Sequence, residues 1–376
     1  MRITKIFTNF FESEKSAGLI LIACTAISLV LSNSTSGHEY IDVWHIKFAG
    51  MSLEHWINDG LMAIFFLMVG LELEREIYNG ELSNFKEALL PFGAALGGMI
   101  LPALIFYLLN RGETTQAGIG IPMATDIAFA LGILSLLGSR VPLALKVFLT
   151  ALAVIDDLGA IIIIALFYTK TLVWQYLLGS AIIMLILFIL NRKKIYVLWP
   201  YLIGGLILWY CMLKSGVHAS ISGVLLAFVI PFGSGSENSI SNKLEKSLHT
   251  PVALFIIPIF ALANTAFVIE GFSFMTLMSS LDVGIILGLV LGKPLGIFLF
   301  SYIVVLLGWS KLSTTMSWKH ILGVGCLGGI GFTMSIFVSF LAFDNVQFVN
   351  QAKLAILIAS TISALIGYLV LSKVCK

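Results

Sequence analysis

Long apolar runs separated by short polar segments dominate this chain. A helix needs about 20 apolar residues to cross a bilayer. By that measure we predict spans near 17–33, 57–77, 88–109, 118–137, 143–168, 173–190, 195–213, 217–233, 250–268, 283–308, 320–342 and 353–372. The pattern predicts an all-α polytopic membrane protein with about 12 transmembrane helices, forming a single transmembrane domain over residues 1–376.

Composition excludes a soluble protein. Hydrophobic residues make up 59% of the chain and charged residues 11%, and the mean hydropathy is +1.02. An ordinary soluble domain has roughly 25% charged residues. The net charge of +2 and the absence of a basic patch mixed with aromatic residues argue against nucleic acid as a partner. The four scattered cysteines show neither metal-ligand spacing nor a disulfide framework, so we expect no cofactor.

The distribution of Lys and Arg predicts the orientation. With twelve spans both termini lie on one side, and segments on that side contain 16 of the 22 basic residues, against 5 on the opposite side. Because cytoplasmic loops are enriched in Lys and Arg, we expect both termini in the cytoplasm. The longest external segment is then residues 34–56. Within it, residues 40–48 alternate loosely and form either a short hairpin or an ordinary loop.

Four ionisable residues interrupt the predicted spans: Asp126, Asp156, Asp157 and Lys293. Each costs at least ~2.5–3.5 kcal/mol on insertion scales, so such groups are expected to be paired or functional. Asp156 and Asp157 are neighbours in "ALAVIDDLGAIIIIALFY" and point about 100° apart on a helix. The pair suits either a proton or a small cation, which compete for the same oxygens. The alternative is a purely structural pair held by buried donors.

Lys293 lies deep in its span, in "GLVLGKPLGIF", with about ten apolar residues on each side. A lysine near a span end extends its amine to the interface, but this depth favours pairing instead. The simplest partner is Asp156.

Two spans contain helix-weakening residues. In "GIGIPMATDIAFALG", glycines and Pro122 precede Thr125 and Asp126, and in "ILGVGCLGGIGFTMSIFVSF" Gly329 and Gly331 repeat the earlier Gly-Ile-Gly. These are spans 4 and 11, each the middle of a three-span group, 3–5 and 10–12, with opposite predicted topology. Interrupted helices at corresponding places of inverted repeats indicate a transport site near the membrane midplane. The core repeats are expected at about 88–168 and 283–372.

The motifs "ATDIAFALG", "LAVIDDLGAI", "LGKPLGI", "SGVHASISG" and "GIGFTMSIF" resemble those of the NhaA family of sodium/proton antiporters over nearly the whole chain. The resemblance implies that spans 4 and 11 are broken helices that cross. It implies that Asp157 is the main Na⁺ and proton site, and that Asp156 alternates between the ion and a salt bridge to Lys293. Thr125 and Asp126 would lie at the crossing, with Asp126 balancing amide ends and Lys293 balancing carbonyl ends.

The same resemblance implies the activity. Cytoplasmic Na⁺ or Li⁺ would be exchanged electrogenically for external protons, with activation at alkaline pH. The protein would act as a homodimer in the bacterial inner membrane, with residues 34–56 at the interface.

The family also has residues linked to pH activation. The matching positions here are Glu72, Arg75, Glu76, His218 and Glu245. For Glu72, Arg75, Glu76 and Glu245, a solvated rim of charges is an equally good interpretation. For His218 the alternative is a polar cap. Asp59 matches a further acidic position, with an exposed cap as the alternative.

Two other functions remain open from the residues alone. A sodium-coupled symporter of an organic solute on a similar fold needs a polar or aromatic pocket beside the ion site, and spans 3–5 and 10–12 contain few further polar residues. An intramembrane aspartyl protease needs two aspartates from different helices around one water, which adjacent residues on one helix fit poorly.

Overall fold

Helices form most of the protein. The structure, a computed structural model, describes residues 2–169, 172–233, 239–269 and 278–375. The α-helices within these ranges are α1 Arg2–Ser32, α2 Gly37–His45, α3 Leu53–His55, α4 Met62–Asn79, α5 Phe85–Leu109, α6 Ile127–Leu136, α7 Leu143–Phe167, α8 Trp174–Arg192, α9 Trp199–Ser215, α10 Ile221–Ala227, α11 Ile240–Pro251, α12 Ile257–Asn264, α13 Ser280–Leu287, α14 Lys293–Leu306, α15 Trp318–Gly328, α16 Phe332–Ala342 and α17 Val346–Val374.

Shorter segments connect several of these helices. The π-helical segments are Trp56–Leu61, Val252–Ile256 and Gly288–Gly292, and the 3-10 segments are Glu81–Ser83, Thr114–Met123 and Gly138–Arg140.

A two-stranded hairpin follows α2. Strands β1 (Lys47–Phe48) and β2 (Met51–Ser52) pair antiparallel. Ala49 and Gly50 between them have φ of 49° and 87°, as a tight two-residue hairpin turn requires. Both alternatives for residues 40–48, a short hairpin and an ordinary loop, were therefore wrong: most of that range is helical, and the hairpin forms around the positive-φ pair that follows it.

The helices confirm a polytopic membrane protein. Eight are long and apolar enough to cross a bilayer, and two further pairs, bent by 43° and 47° at a short break, raise the number to as many as ten within the described residues. The bent pairs coincide with predicted spans 4 and 11. The count of twelve stays a prediction, because spans 195–213 and 217–233 correspond to α9 and α10, with 17 and 7 residues.

The first of two compact units comprises Met1–Leu29, Asn84–Ala160 and Phe267–Lys376. Its α5 and α14 cross at Gly97 and Gly296, where a Cβ on either residue would strike the carbonyl oxygen of the other. Small residues allow such close approach of membrane helices.

The second unit comprises Val30–Ser83 and Ile161–Ala266. Here α4 packs on α10, and a Cβ on Gly223 would meet the backbone of Ala63 and Leu67. The apolar core beside this crossing includes Leu71 and Tyr201, both fully buried.

Candidate ion-binding site at two broken helices

The first break separates the 3-10 segment Thr114–Met123 from α6. Pro122 lacks an N–H and so weakens the helix before it, and Ala124 and Asp126 are extended. Asp126 is the N-cap of α6, where its Oδ1 accepts a hydrogen bond from the Phe129 amide at 2.9 Å. A side-chain oxygen at this position satisfies an otherwise unpaired amide, so the chain ends one helix and begins another here.

The second break, between α15 and α16, meets the first through Asp126. The Asp126 amide donates to the Ile330 carbonyl at 2.7 Å. Its Oδ2 accepts from the amide of Thr333 at 3.0 Å and from the Thr333 hydroxyl at 2.5 Å. One buried carboxylate thus caps the amide ends of both α6 and α16, where a negative charge is favoured.

The carbonyl ends at the breaks are also satisfied. Ser335 donates to the Ile121 carbonyl at 2.7 Å, and the Lys293 amine donates to the Met123 carbonyl. The Thr125 hydroxyl lies 3.0 Å from the Gly328 carbonyl. The crossing therefore leaves few backbone groups without partners in an apolar setting, where each would cost several kcal/mol.

Lys293 and Asp156 form a fully buried ion pair. Their Nζ and Oδ2 atoms are 2.7 Å apart and both side chains are 0% exposed. The same Oδ2 lies 2.5 Å from the Thr125 hydroxyl. Lys293 begins α14 directly after a π-helical segment, and Asp156 lies in the middle of α7. The partner predicted for the lysine is the one observed.

The site contains oxygen donors suited to a hard cation. Asp157, next to Asp156 on α7, is also buried. Within the described residues, no hydrogen bond reaches Oδ1 of Asp156. The single hydrogen of the Thr125 hydroxyl serves two acceptors, Asp156 and the Gly328 carbonyl. Carboxylate and hydroxyl oxygens bind cations such as Na⁺ and, in the case of the carboxylates, protons as well, so Asp156 and Asp157 are the candidate metal ligands.

Four of the residues predicted to sense pH lie together in the second unit. Arg75 on α4 contacts Glu245 on α11 at 2.5 Å, Glu76 at 3.0 Å and Glu72 at 3.8 Å. The arginine side chain is 36% exposed. We call these four residues the Arg75 cluster.

His218, the fifth residue predicted to sense pH, and Asp59, predicted separately, have different partners. His218, which precedes α10, has its Nε2 2.9 Å from the Tyr168 carbonyl. The Asp59 carboxylate lies 3.0 Å from Nε2 of His55, and its backbone carbonyl accepts from the indole of Trp209 at 3.0 Å.

Two buried carboxylates have no role in the predictions from the sequence. Glu74 on α4 accepts a hydrogen bond from Ser241 at 3.2 Å, and Asp282 at the start of α13 is 1% exposed. Asp282 fell one residue outside the predicted span that starts at residue 283. The pattern Ser279-x-x-Asp282 is a helix-start signal that places the aspartate inside the helix.

Two of the apolar spans are broken, and the breaks meet at a crossing that contains buried carboxylates and one buried lysine. This arrangement defines a membrane ion transporter. The family model described as Na⁺/H⁺ antiporter 1 matches residues 8–371. The chain is 61% identical to the Na⁺/H⁺ antiporter NhaA of Flavobacterium psychrophilum, covering 100% of this chain and 98% of that protein. It is 58% identical to the protein of the same name from Cytophaga hutchinsonii, with 100% and 97% covered, and 50% identical to that of Vibrio alginolyticus, with 97% of each covered. The chain belongs to the Na⁺/H⁺ antiporter 1 family, which confirms the resemblance seen in its motifs.

Proposed function

We propose that the chain is an electrogenic antiporter that exports cytoplasmic Na⁺ or Li⁺ in exchange for external protons at Asp156 and Asp157. The observation that supports this most is the buried Lys293–Asp156 pair at the crossing of two broken helices. Asp157, adjacent to that pair and itself buried, takes Na⁺ when it is deprotonated. Asp156 then leaves Lys293 to complete the ion's ligands.

Competition between ions couples the two flows. Facing the cytoplasm, the deprotonated carboxylates bind Na⁺. After the site has reoriented outward, protons displace the ion and the protonated site returns. An empty site does not cross, because a bare carboxylate pair in a low-dielectric setting is too costly.

The charge balance makes the exchange sensitive to voltage. Two protons that return on Asp156 and Asp157, or on Asp157 and Lys293, for each Na⁺ exported move one net charge inward. One elementary charge across 100 mV is worth about 2.3 kcal/mol, so the membrane potential drives the cycle.

Acid pH inhibits this exchange, because protons then remain on the carboxylates. The Arg75 cluster and His218 adjust the pH at which exchange begins, and Asp59 contributes a further acidic group. The contacts between Arg75 and three glutamates support this proposal, since a change in protonation of any one of them alters an existing ion pair.

We further propose twelve spans in the bacterial inner membrane, two inverted repeats and both termini in the cytoplasm. The distribution of Lys and Arg supports the orientation. The protein forms a homodimer through residues 34–56, where α2 and the β1–β2 hairpin lie.

Sodium-driven proton movement in everted membrane vesicles tests the function. Across pH, and with no organic solute present, the wild-type chain should move protons upon addition of Na⁺, which a symporter would not do. Asp157→Asn should abolish the signal, whereas Asp344→Asn, at an exposed position, should keep it. Exchange that persists when both 156 and 157 are asparagine would refute the proposal.

A further inference from the structure

A further buried carboxylate in the first unit lies outside the crossing. Asp282 is the third residue of α13, whose N-cap is Ser279. Its side chain is buried, with 1% of the residue exposed. It contacts Gln351 near the start of α17. Neither the exchange mechanism nor the motifs of the sequence use this carboxylate.

Three polar atoms form a nearly equilateral triangle here. The Ser279 hydroxyl and the Gln351 amide nitrogen each lie 2.7 Å from Oδ2 of Asp282, and the same amide nitrogen lies 2.7 Å from the Ser279 hydroxyl. Ser279 also accepts from the Asp282 amide at 3.2 Å. Helix capping explains the serine and this amide. It does not explain the second carboxylate oxygen.

Among the described residues, Oδ1 of Asp282 is buried and has no hydrogen-bond partner, and the ion pairs found there do not include Asp282. Protonation on Oδ1 would create a donor with no acceptor, and protonation on Oδ2 would leave Oδ1 as it is. A water molecule would satisfy Oδ1 and could accept a hydrogen bond from the neutral carboxyl, which is the competing arrangement, but it does not balance the charge of an ionised carboxylate. A cation satisfies both, as a buried charge requires.

We propose that Asp282, Ser279 and Gln351 form a second Na⁺ site, separate from Asp156 and Asp157. A 180° rotation of the Gln351 amide places its oxygen where the nitrogen now lies. One face of the site then consists of carboxylate, hydroxyl and amide oxygens, the ligands that hard cations take. The carboxylate binds through both oxygens, which gives Oδ1 its partner.

The second site is far enough from the first to fill independently. Asp282 and Lys293 belong to one helical run that continues from α13 through Gly288–Gly292 into α14. They are eleven positions apart, which corresponds to about 16 Å at 1.5 Å per residue. Occupancy of the Asp282 site therefore does not require the exchange proposed above.

Equilibrium binding of ²²Na⁺ to the purified full-length protein in detergent, at alkaline pH, tests the site. We expect two ions per wild-type chain, one for Asp282→Asn, one for Asp156→Asn/Asp157→Asn and none for the triple variant. Asp344→Asn, which removes one exposed carboxylate, is the matched control and should bind two.

The double variant at 156 and 157 is decisive. If it binds no Na⁺ while remaining monodisperse with a cooperative thermal transition, Asp282 carries at most a proton and the proposal fails. If it keeps one ion that Asp282→Asn does not remove, the second site lies elsewhere and the proposal also fails. Gln351→Leu in the double-variant background, which leaves the aspartate in place, should weaken the remaining binding at least tenfold.

Discussion

Each unit contains an ion pair of similar length in a different environment. In the first unit Lys293 and Asp156 are 2.7 Å apart and both 0% exposed. In the second unit Arg75 and Glu245 are 2.5 Å apart, with the arginine 36% exposed. A buried pair loses its hydration and is rarely kept for stability alone, whereas a partly exposed pair is worth roughly 0–1 kcal/mol. Burial, not distance, distinguishes the pair at the proposed transport site from the Arg75 cluster.

The largest effect should come from breaking the buried pair. Lys293→Met leaves Asp156 as an uncompensated charge and should cost about 3–5 kcal/mol at alkaline pH. The loss should shrink at acid pH, where Asp156 takes up a proton and becomes neutral. Thermal unfolding in detergent across pH measures this.

The double variant Lys293→Met/Asp156→Leu is the control for that measurement. It removes both charges and should recover most of the lost stability. A single Lys293→Met variant that melts like the wild type at alkaline pH would show that the pair is not buried from solvent as described.

A smaller loss of stability is expected at the N-termini of α6 and α16, which Asp126 caps. Thr333→Val removes the hydroxyl donor to Asp126 and should destabilise the protein by about 1–3 kcal/mol, because a buried acceptor loses a partner. Thr361→Val is the matched control. Its exposed hydroxyl bonds the Leu357 carbonyl of its own helix, so the melting temperature of this variant should be unchanged. Equal melting temperatures for both variants would argue against a shared cap at the crossing.

In the second unit, Arg75→Gln should change the pH dependence of exchange more than the free energy of unfolding. We expect the free energy of unfolding to fall by less than ~1 kcal/mol, since the arginine is partly exposed. Without the positive charge of Arg75, which favours the ionised form of Glu245, that carboxyl keeps its proton to higher pH, so the onset of Na⁺-driven proton movement should move to more alkaline pH. Arg192→Gln, at an exposed position outside the cluster, should leave the onset in place. If the onset were unchanged in Arg75→Gln, the Arg75 cluster would be a solvated rim of charges with no role in pH activation.

The smallest effect is expected at Asp59. Asp59→Asn loses the pair with His55, whose side chain is 52% exposed, and pairs of this i,i+4 kind contribute about 0.2–0.5 kcal/mol. The bond from Trp209 is retained because it goes to the backbone. Thermal unfolding and vesicle exchange should both remain near wild type. A strong loss of exchange with unchanged stability would give Asp59 a direct role in ion transport.

Much of the candidate ion site in the first unit could be predicted from the sequence. Asp126, Asp156, Asp157 and Lys293 stand out because each is an ionisable residue in an apolar run, and helix-weakening glycines and Pro122 mark the first break. The Arg75 cluster was harder to predict, since charges at a helix end look the same whether they are solvated or paired. Asp282 was missed because its burial depends on neighbours that local hydropathy does not reveal.

The amino-acid sequence by itself determined that this is a membrane protein, where its helices break and that Asp126, Asp156, Asp157 and Lys293 lie inside the spans. These properties follow from the local transfer of side chains and backbone from water to hydrocarbon. Only the tertiary structure decided the partners: Thr333 for Asp126, 207 residues away, the Met123 carbonyl for Lys293, 170 residues away, and Gln351 for Asp282, 69 residues away. Contacts over such separations arise from helix packing, which hydropathy along the chain does not record.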